Sequence, residues 1–148
     1  MRYAAPMVER DEGPPQVRPC GGCQVCCQVL EVAALKKPAW STCTHQDRFG
    51  CSIHPTRPFI CRGFACNWAM GDPRLPERMR PDHAGLLIWV GEGPMGLTVF
   101  VHVLWEGALE RPELQEALAF YRRTTPMVIE NLDGTVTVHR PAGSWPPA

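Results

Sequence analysis

The sequence predicts an α+β protein: a cysteine-rich, metal-organised N-terminal lobe with few regular elements, packed on a small antiparallel β-sheet with one helix. Three observations predict it. All eight cysteines fall between residues 20 and 66. The same stretch is punctuated by Gly21, Gly22, Gly50 and Gly63 and by Pro38, Pro55 and Pro58, which deny it long helices. Residues 86–140 carry instead the period-two and period-3.6 apolar patterns of ordinary strands and a helix. With 148 residues, 45% of them hydrophobic, the chain suits one compact domain overall.

In chain order, residues 1–19 are rich in proline and charge and read as a flexible arm. Residues 20–68 form the cysteine lobe, with a short strand expected around residues 29–32 and a short helix at 59–68 carrying the last two cysteines. Residues 69–85 read as a connector, because Gly71, Pro73, Pro76 and Pro81 are spaced too closely for a stable element. The lobe at 86–140 reads as hairpin, helix, hairpin. Strands are expected at residues 86–90 and 97–104, the second with Leu97, Val99, Val101 and Val103 on one face. Pro112 suits the first turn of a helix, Glu113 and Glu116 its positive end, and Arg122 and Arg123 its negative end, with Leu114, Ala117, Leu118 and Tyr121 on one face. Asp133-Gly134 supplies the tight turn between strands at 127–130 and 135–139. Residues 141–148 read as a tail.

Charge and composition exclude several classes. The 15 basic and 15 acidic residues cancel, so no global field favours nucleic acid as a partner. No apolar run reaches the roughly 18–20 residues that span a bilayer. Residues 1–15 hold Glu9, Asp11 and Glu12 and no apolar export core. A cytoplasmic, unprocessed protein with no membrane partner is therefore expected. No phosphate-cradling glycine loop, Ser-His-Asp set or hydrolytic acid pair is present.

The chemistry lies in the cysteines. In Cys20-Gly21-Gly22-Cys23-Gln24-Val25-Cys26-Cys27, each two-residue gap lets one tight turn aim two sulfurs at a common point. Three sulfurs so spaced also match the way ferredoxins wrap a cluster. Cys27 fits less well and is a candidate for a second site, because adjacent side chains in extended backbone point to opposite sides. Cys43, Cys51, Cys61 and Cys66 offer four more sulfurs, enough for two four-sulfur sites or for one site with spare thiols. Zinc and iron–sulfur both accept thiolate, so ligand softness does not separate them. Lys36, Lys37, Arg48, Arg57 and Arg62 outnumber Glu31 and Asp47 and would offset sulfur charge. A disulfide framework fits worse, since overlapping two-residue gaps make poor local bridges.

This pattern, Cys20-x2-Cys23-x2-Cys26-Cys27, then Cys43, Gly50-Cys51-Ser52-Ile53-His54 and Arg57-Pro58-x2-Cys61-Arg62, resembles the CxxCxxCC family of zinc- or iron-chelating domains, the YkgJ-type cysteine cluster proteins. The resemblance covers about residues 20–68, with Arg80-Pro81-Asp82 beyond, and implies chelation by the cysteines. Where relatives carry a further cysteine after a histidine, this chain reads Cys43-Thr44-His45-Gln46. That brings forward His45 as a substitute ligand, or Cys66 as the residue that completes the set.

His54 is a further candidate for ligation or for a hydrogen bond to sulfur, and Arg57 for pinning a carbonyl or facing the site. His83, His102 and His139 have no partner motif. Trp40, Trp68, Trp89 and Trp105 are candidates for shielding the site or sealing the two lobes, with core packing as the plainer role. The expected function is metal chelation, with zinc or an iron–sulfur cluster in one or two sites. Two alternatives accompany it: a redox or group-transfer enzyme using a cluster or a free thiol at Cys27 or Cys66, and an interaction module with a structural zinc. The sequence names no substrate or protein partner.

Overall fold

A computed structural model of the chain describes residues 17–48 and 50–143. Most of the expected arm, residues 1–16, and the end of the expected tail, residues 144–148, lie outside the described residues. The elements are helix α1 (Val25–Val29), strands β1 (Gln46–Asp47) and β2 (Gly50–Cys51), helices α2 (Phe59–Arg62) and α3 (Pro81–Ala84), strands β3 (Leu86–Gly93) and β4 (Gly96–Val103), helix α4 (Gln115–Thr124), and strands β5 (Met127–Glu130) and β6 (Val136–His139). The α+β class holds.

The main sheet has the order β3-β4-β5-β6 and is mixed, which corrects the expected antiparallel sheet. Both hairpins form as expected, β3 with β4 and β5 with β6, but β4 and β5 run parallel, Val99 opposite Met127 and Val101 opposite Ile129. The intervening chain decides this: α4 carries it from the end of β4 back to the start of β5, the crossover that a parallel pair requires.

Register sorts the side chains into two faces. Leu87, Trp89, Phe100, His102, Val128 and Glu130 share one, while Leu86, Ile88, Val99, Val101, Met127 and Ile129 share the other. Both are covered, which is why Thr98 and Phe100 are buried as fully as Val99 and Val101. Leu97 leaves the expected stripe and is 59% exposed. The second face packs on α4, where Ala117, Leu118 and Tyr121, with Leu114 from the preceding 3-10 turn, are buried as the 3.6 period requires. The first face receives the cysteine lobe.

Three local expectations change. The expected strand at 29–32 gives way to α1, because Val25 and Val29 are one helical turn apart and bury the same edge of the lobe. The expected helix at 59–68 stops at Arg62, closed by the Gly63 N–H on the Phe59 carbonyl at 2.8 Å, so Cys61 lies on it and Cys66 beyond it. The stretch read as a connector contributes Leu75, Met79 and Ala84 to the core, using a 3-10 turn at Glu77–Met79 and the short α3. Gly85 ends α3 at a φ of 79°, and a Cβ there would meet Trp105 at 2.5 Å.

The last part of the arm is also anchored. The Val17 and Arg18 N–H groups share the Ala69 carbonyl at 2.8 and 2.9 Å, and the Arg18 guanidinium reaches the Leu75 carbonyl and lies over the Trp68 ring. Among the described residues no helix is long and apolar enough to cross a membrane.

One polar cluster fixes α4 to the chain before the sheet. The buried Tyr121 hydroxyl donates to an Asp72 carboxylate oxygen and accepts from the Asn67 amide at 3.3 Å. Burial, then the Asp72 carboxylate, pushes its ionisation well above the usual phenol range, so it stays a donor. Tyr121→Phe is expected to lower stability by roughly 1–3 kcal/mol, because it strips a partner from buried polar groups. Urea unfolding of the two proteins checks this; superimposable curves would count against it.

Candidate metal centre

The first tight turn places two sulfurs as expected. The Cys23 N–H bonds to the Cys20 carbonyl at 3.0 Å, and Gly21 between them has a φ of 58°. That carbonyl also accepts from the Arg80 guanidinium at 3.0 Å, while Arg80 grips both carboxylate oxygens of Asp82. A side chain at Gly21 would strike Arg80, since its Cβ would lie 2.9 Å from Nη1. This fork ties the Arg80-Pro81-Asp82 stretch to the first cysteine turn.

From Cys26 onward, position on α1 decides direction. Successive residues on a helix point about 100° apart. With Val25 and Val29 against the core, Cys26 and Cys27 leave the helix in different directions, yet their side chains remain within hydrogen-bond reach of each other. Cys26 lines a cavity of about 50 Å³ with Cys20, Cys23 and Cys66, walled by Phe64, Trp68, Pro81 and Leu87. Cys20, Cys23 and Cys26 pack against the hydrophobic core, and Cys66 belongs to it.

Cys66 arrives there through the sheet. The Asn67 N–H bonds to the Ile88 carbonyl at 2.8 Å, stitching this stretch to the outer edge of β3. Alternation then sends Cys66 toward the cavity and Asn67 toward Tyr121 on the opposite side. The Cys23 sulfur receives the N–H groups of Val25 and Asp82, and the Cys66 sulfur those of Trp68 and Ala69. Burial nonetheless dominates: it raises the Cys23 thiol and pushes Cys66 up to about 11, so both keep their protons at neutral pH without a cation.

The other four sulfurs form a second neighbourhood. Cys61 feels the charges of Cys27, Cys43, Cys51 and Arg57, and Lys37 those of Cys43, Cys27, Cys26 and Cys61. Cys26 and Cys27 share a hydrogen bond across the divide, which raises Cys26. The same bond, helped by the Lys37 ammonium, lowers Cys27 to about 6, so the proton rests on Cys26.

Lys37 is the residue that sequence reasoning passed over, counted only among five bases. It is 6% exposed, and its Nζ donates to the carbonyls of Gln28, Leu30 and Pro38 at 3.4, 2.5 and 3.1 Å. Its backbone pairs with Val32 in both directions around a tight loop closed by Lys36 at a φ of 51°, which turns the side chain inward under the end of α1. Gln24 was also missed: it donates to the Asp47 carbonyl at 2.7 Å and accepts from Gln46, tying α1 to the β1-β2 hairpin. No sequence signal marks either role, because both depend on loops closing.

The non-cysteine candidates fare differently. Arg57 pins a carbonyl, donating to that of His54 at 2.6 Å, and its charge acts on Cys61. His45 and His54 are held through their backbones, by Ser52 and Arg57, and His54 is exposed. Gln46, beside His45, leaves its buried Oε1 without a hydrogen-bond partner among the described residues. Of the tryptophans, Trp68 walls the cavity. Trp89 stacks on Phe100 and donates to His102 at 2.9 Å. Trp40, 43% exposed, donates to Glu130 and so seals the cysteine lobe to the sheet, while Trp105 covers Gly85.

None of the eight cysteines is in a disulfide. Among the described residues no three His, Cys, Asp or Glu side chains close into a ready-made cage for a metal ion; the thiols stand around a space instead. The donor set nonetheless fits a thiophilic metal, since the cavity is lined by four thiols, and those of Cys23 and Cys66 are met by N–H donors. No family model matches the chain, and no curated protein or solved structure matches it with significance.

Proposed function

We propose that this is a metal-chelating protein, holding zinc or an iron–sulfur cluster through its clustered cysteines, in a reducing compartment such as the cytoplasm. One observation carries the reading: Cys20, Cys23, Cys26 and Cys66, drawn from distant parts of the chain, face a single cavity against the core. The likeness of the cysteine pattern to the CxxCxxCC family points the same way. Cys20, Cys23, Cys26 and Cys66 would bind the metal as thiolates, releasing among others the protons that burial otherwise keeps on Cys23 and Cys66. Backbone N–H groups at Cys23 and Cys66 would bear part of the sulfur charge, and Trp68, Phe64 and Leu87 would exclude water.

Metal analysis and an absorption spectrum of anaerobically purified protein test this. Stoichiometric zinc without colour, or iron and sulfide with a broad band near roughly 400 nm, is the expected result. Protein purified without bound metal, and taking up neither zinc nor iron on reconstitution, overturns it.

A second reading is favoured by Cys27 alone, the thiol lowered to about 6 beside Lys37. A thiolate at neutral pH is a nucleophile, suited to redox or group-transfer chemistry. Alkylation of metal-loaded protein separates the two readings: rapid labelling of Cys27 supports the nucleophile, and protection of all eight thiols supports chelation.

A further inference from the structure

We infer that Cys27, Cys43, Cys51 and Cys61 form a second thiolate metal site, adjoining the first where Cys27 meets Cys26, with Lys37 as its built-in counter-charge. The inference rests on the chelation reading and assigns the ligands. The grouping that chain order suggests, Cys20, Cys23, Cys26 and Cys27 against Cys43, Cys51, Cys61 and Cys66, is exchanged at one member on each side. Cys66 joins the first set and Cys27 the second.

Several independent features support the division. Cys20, Cys23, Cys26 and Cys66 are the cysteines that pack with the core and line the cavity, and the other four do neither. Each of those four stands on its own small support outside the core: Cys27 on α1, Cys43 at the turn whose carbonyl takes the Gln46 N–H at 3.0 Å, Cys51 on β2, and Cys61 on α2. Gln24 binds the first support to the hairpin that bears Cys51, bringing distant stretches together. Cys27, Cys43 and Cys51 act on Cys61, and Cys27, Cys43 and Cys61 act on Lys37 together with Cys26.

The ligand class follows from charge. Four thiolates around Zn²⁺ or a [4Fe–4S]²⁺ cluster leave a formal net charge of −2, which a half-buried site has to offset. Lys37 supplies one positive charge, and carbonyls of the loop after α1 hold it in place; Arg57 supplies another beside Cys61. The two sites differ in access. The core set lies around a cavity walled by Trp68, Phe64 and Leu87 and includes the buried Cys66, whereas the second set does not line that cavity and has no buried member. The second site is therefore the one that exchanges metal with the surroundings.

The test uses the full chain reconstituted anaerobically with zinc, and separately with iron and sulfide. Wild type is expected to hold two centres, and Cys61→Ser and Cys51→Ser each to hold half as much metal with an unchanged circular dichroism spectrum. Cys66→Ser is expected to lose the other half; should it fail to fold, the Cys61 and Cys51 variants still decide. A chelator is expected to remove one equivalent from wild type rapidly and the other slowly, and to find only the slow one in Cys61→Ser. One centre in wild type, or loss of all metal from folded Cys61→Ser, overturns the second site while leaving chelation intact. Absence of metal from wild type under every reconstitution overturns chelation itself.

Discussion

Lys37→Met is expected to destabilise the protein by about 3 kcal/mol, a loss as large as that from many core truncations. Methionine is close to lysine in length and helical preference, so the change tests charge and hydrogen bonding rather than bulk. It would leave the carbonyls of Gln28, Leu30 and Pro38 without their shared donor. It would also remove a positive charge that acts on the Cys27, Cys43 and Cys61 sulfurs. Burial pulls the lysine below its usual pKa, and the surrounding sulfurs push the other way. The measurement is urea unfolding of wild type and variant at fixed metal load. A change under about 0.5 kcal/mol, the range of ordinary surface substitutions, would remove Lys37 from its assigned role.

Leu87→Ala should cost about 2–5 kcal/mol and lower the melting temperature by on the order of 10 °C. Leu87 is 1% exposed, sits on β3 beside Trp89's face of the sheet, and walls the cavity that the four core cysteines face. Truncation enlarges a space that already exists, so the surroundings have little to collapse onto. Calorimetry gives the stability change, and metal release to a chelator gives the second readout. Faster release from the core set, with the rate of the exposed set unchanged, is the expected pattern. Equal acceleration at both would show that Leu87 acts only through global unfolding.

The parts of this fold that were legible in the sequence are those decided by neighbours in the chain. Leu114, Ala117, Leu118 and Tyr121 recur at helical spacing and are buried together, and Asp133-Gly134 turns β5 into β6 with Gly134 at a φ of 86°. Strand pairing across α4 was not legible, because period two says which residues share a face and nothing about which strand lies alongside. Residues 25–29 misled for a related reason: in so short an apolar run, spacing of Val25 and Val29 cannot outvote the alternation that follows.

The site divided along the same line. The eight sulfurs and the awkwardness of Cys27 were visible in spacing alone, as was the interest of Arg57. The partner of each sulfur was not. Cys66 reaches the core set through the Asn67 bond to β3, a contact made across residues that spacing cannot see. Lys37 becomes part of the site only when the loop from Val32 closes on itself.

The cavity wall also sets an order of events during synthesis. Cys20, Cys23 and Cys26 leave the ribosome first, while Cys66, Pro81 and Leu87 that complete their enclosure follow later in the chain. At ribosomal rates of roughly 5–20 residues per second, the first sulfurs wait several seconds for their last wall. During that interval they are exposed to oxidants and to stray metal ions alike, so the nascent chain is at its most vulnerable before β3 has been made.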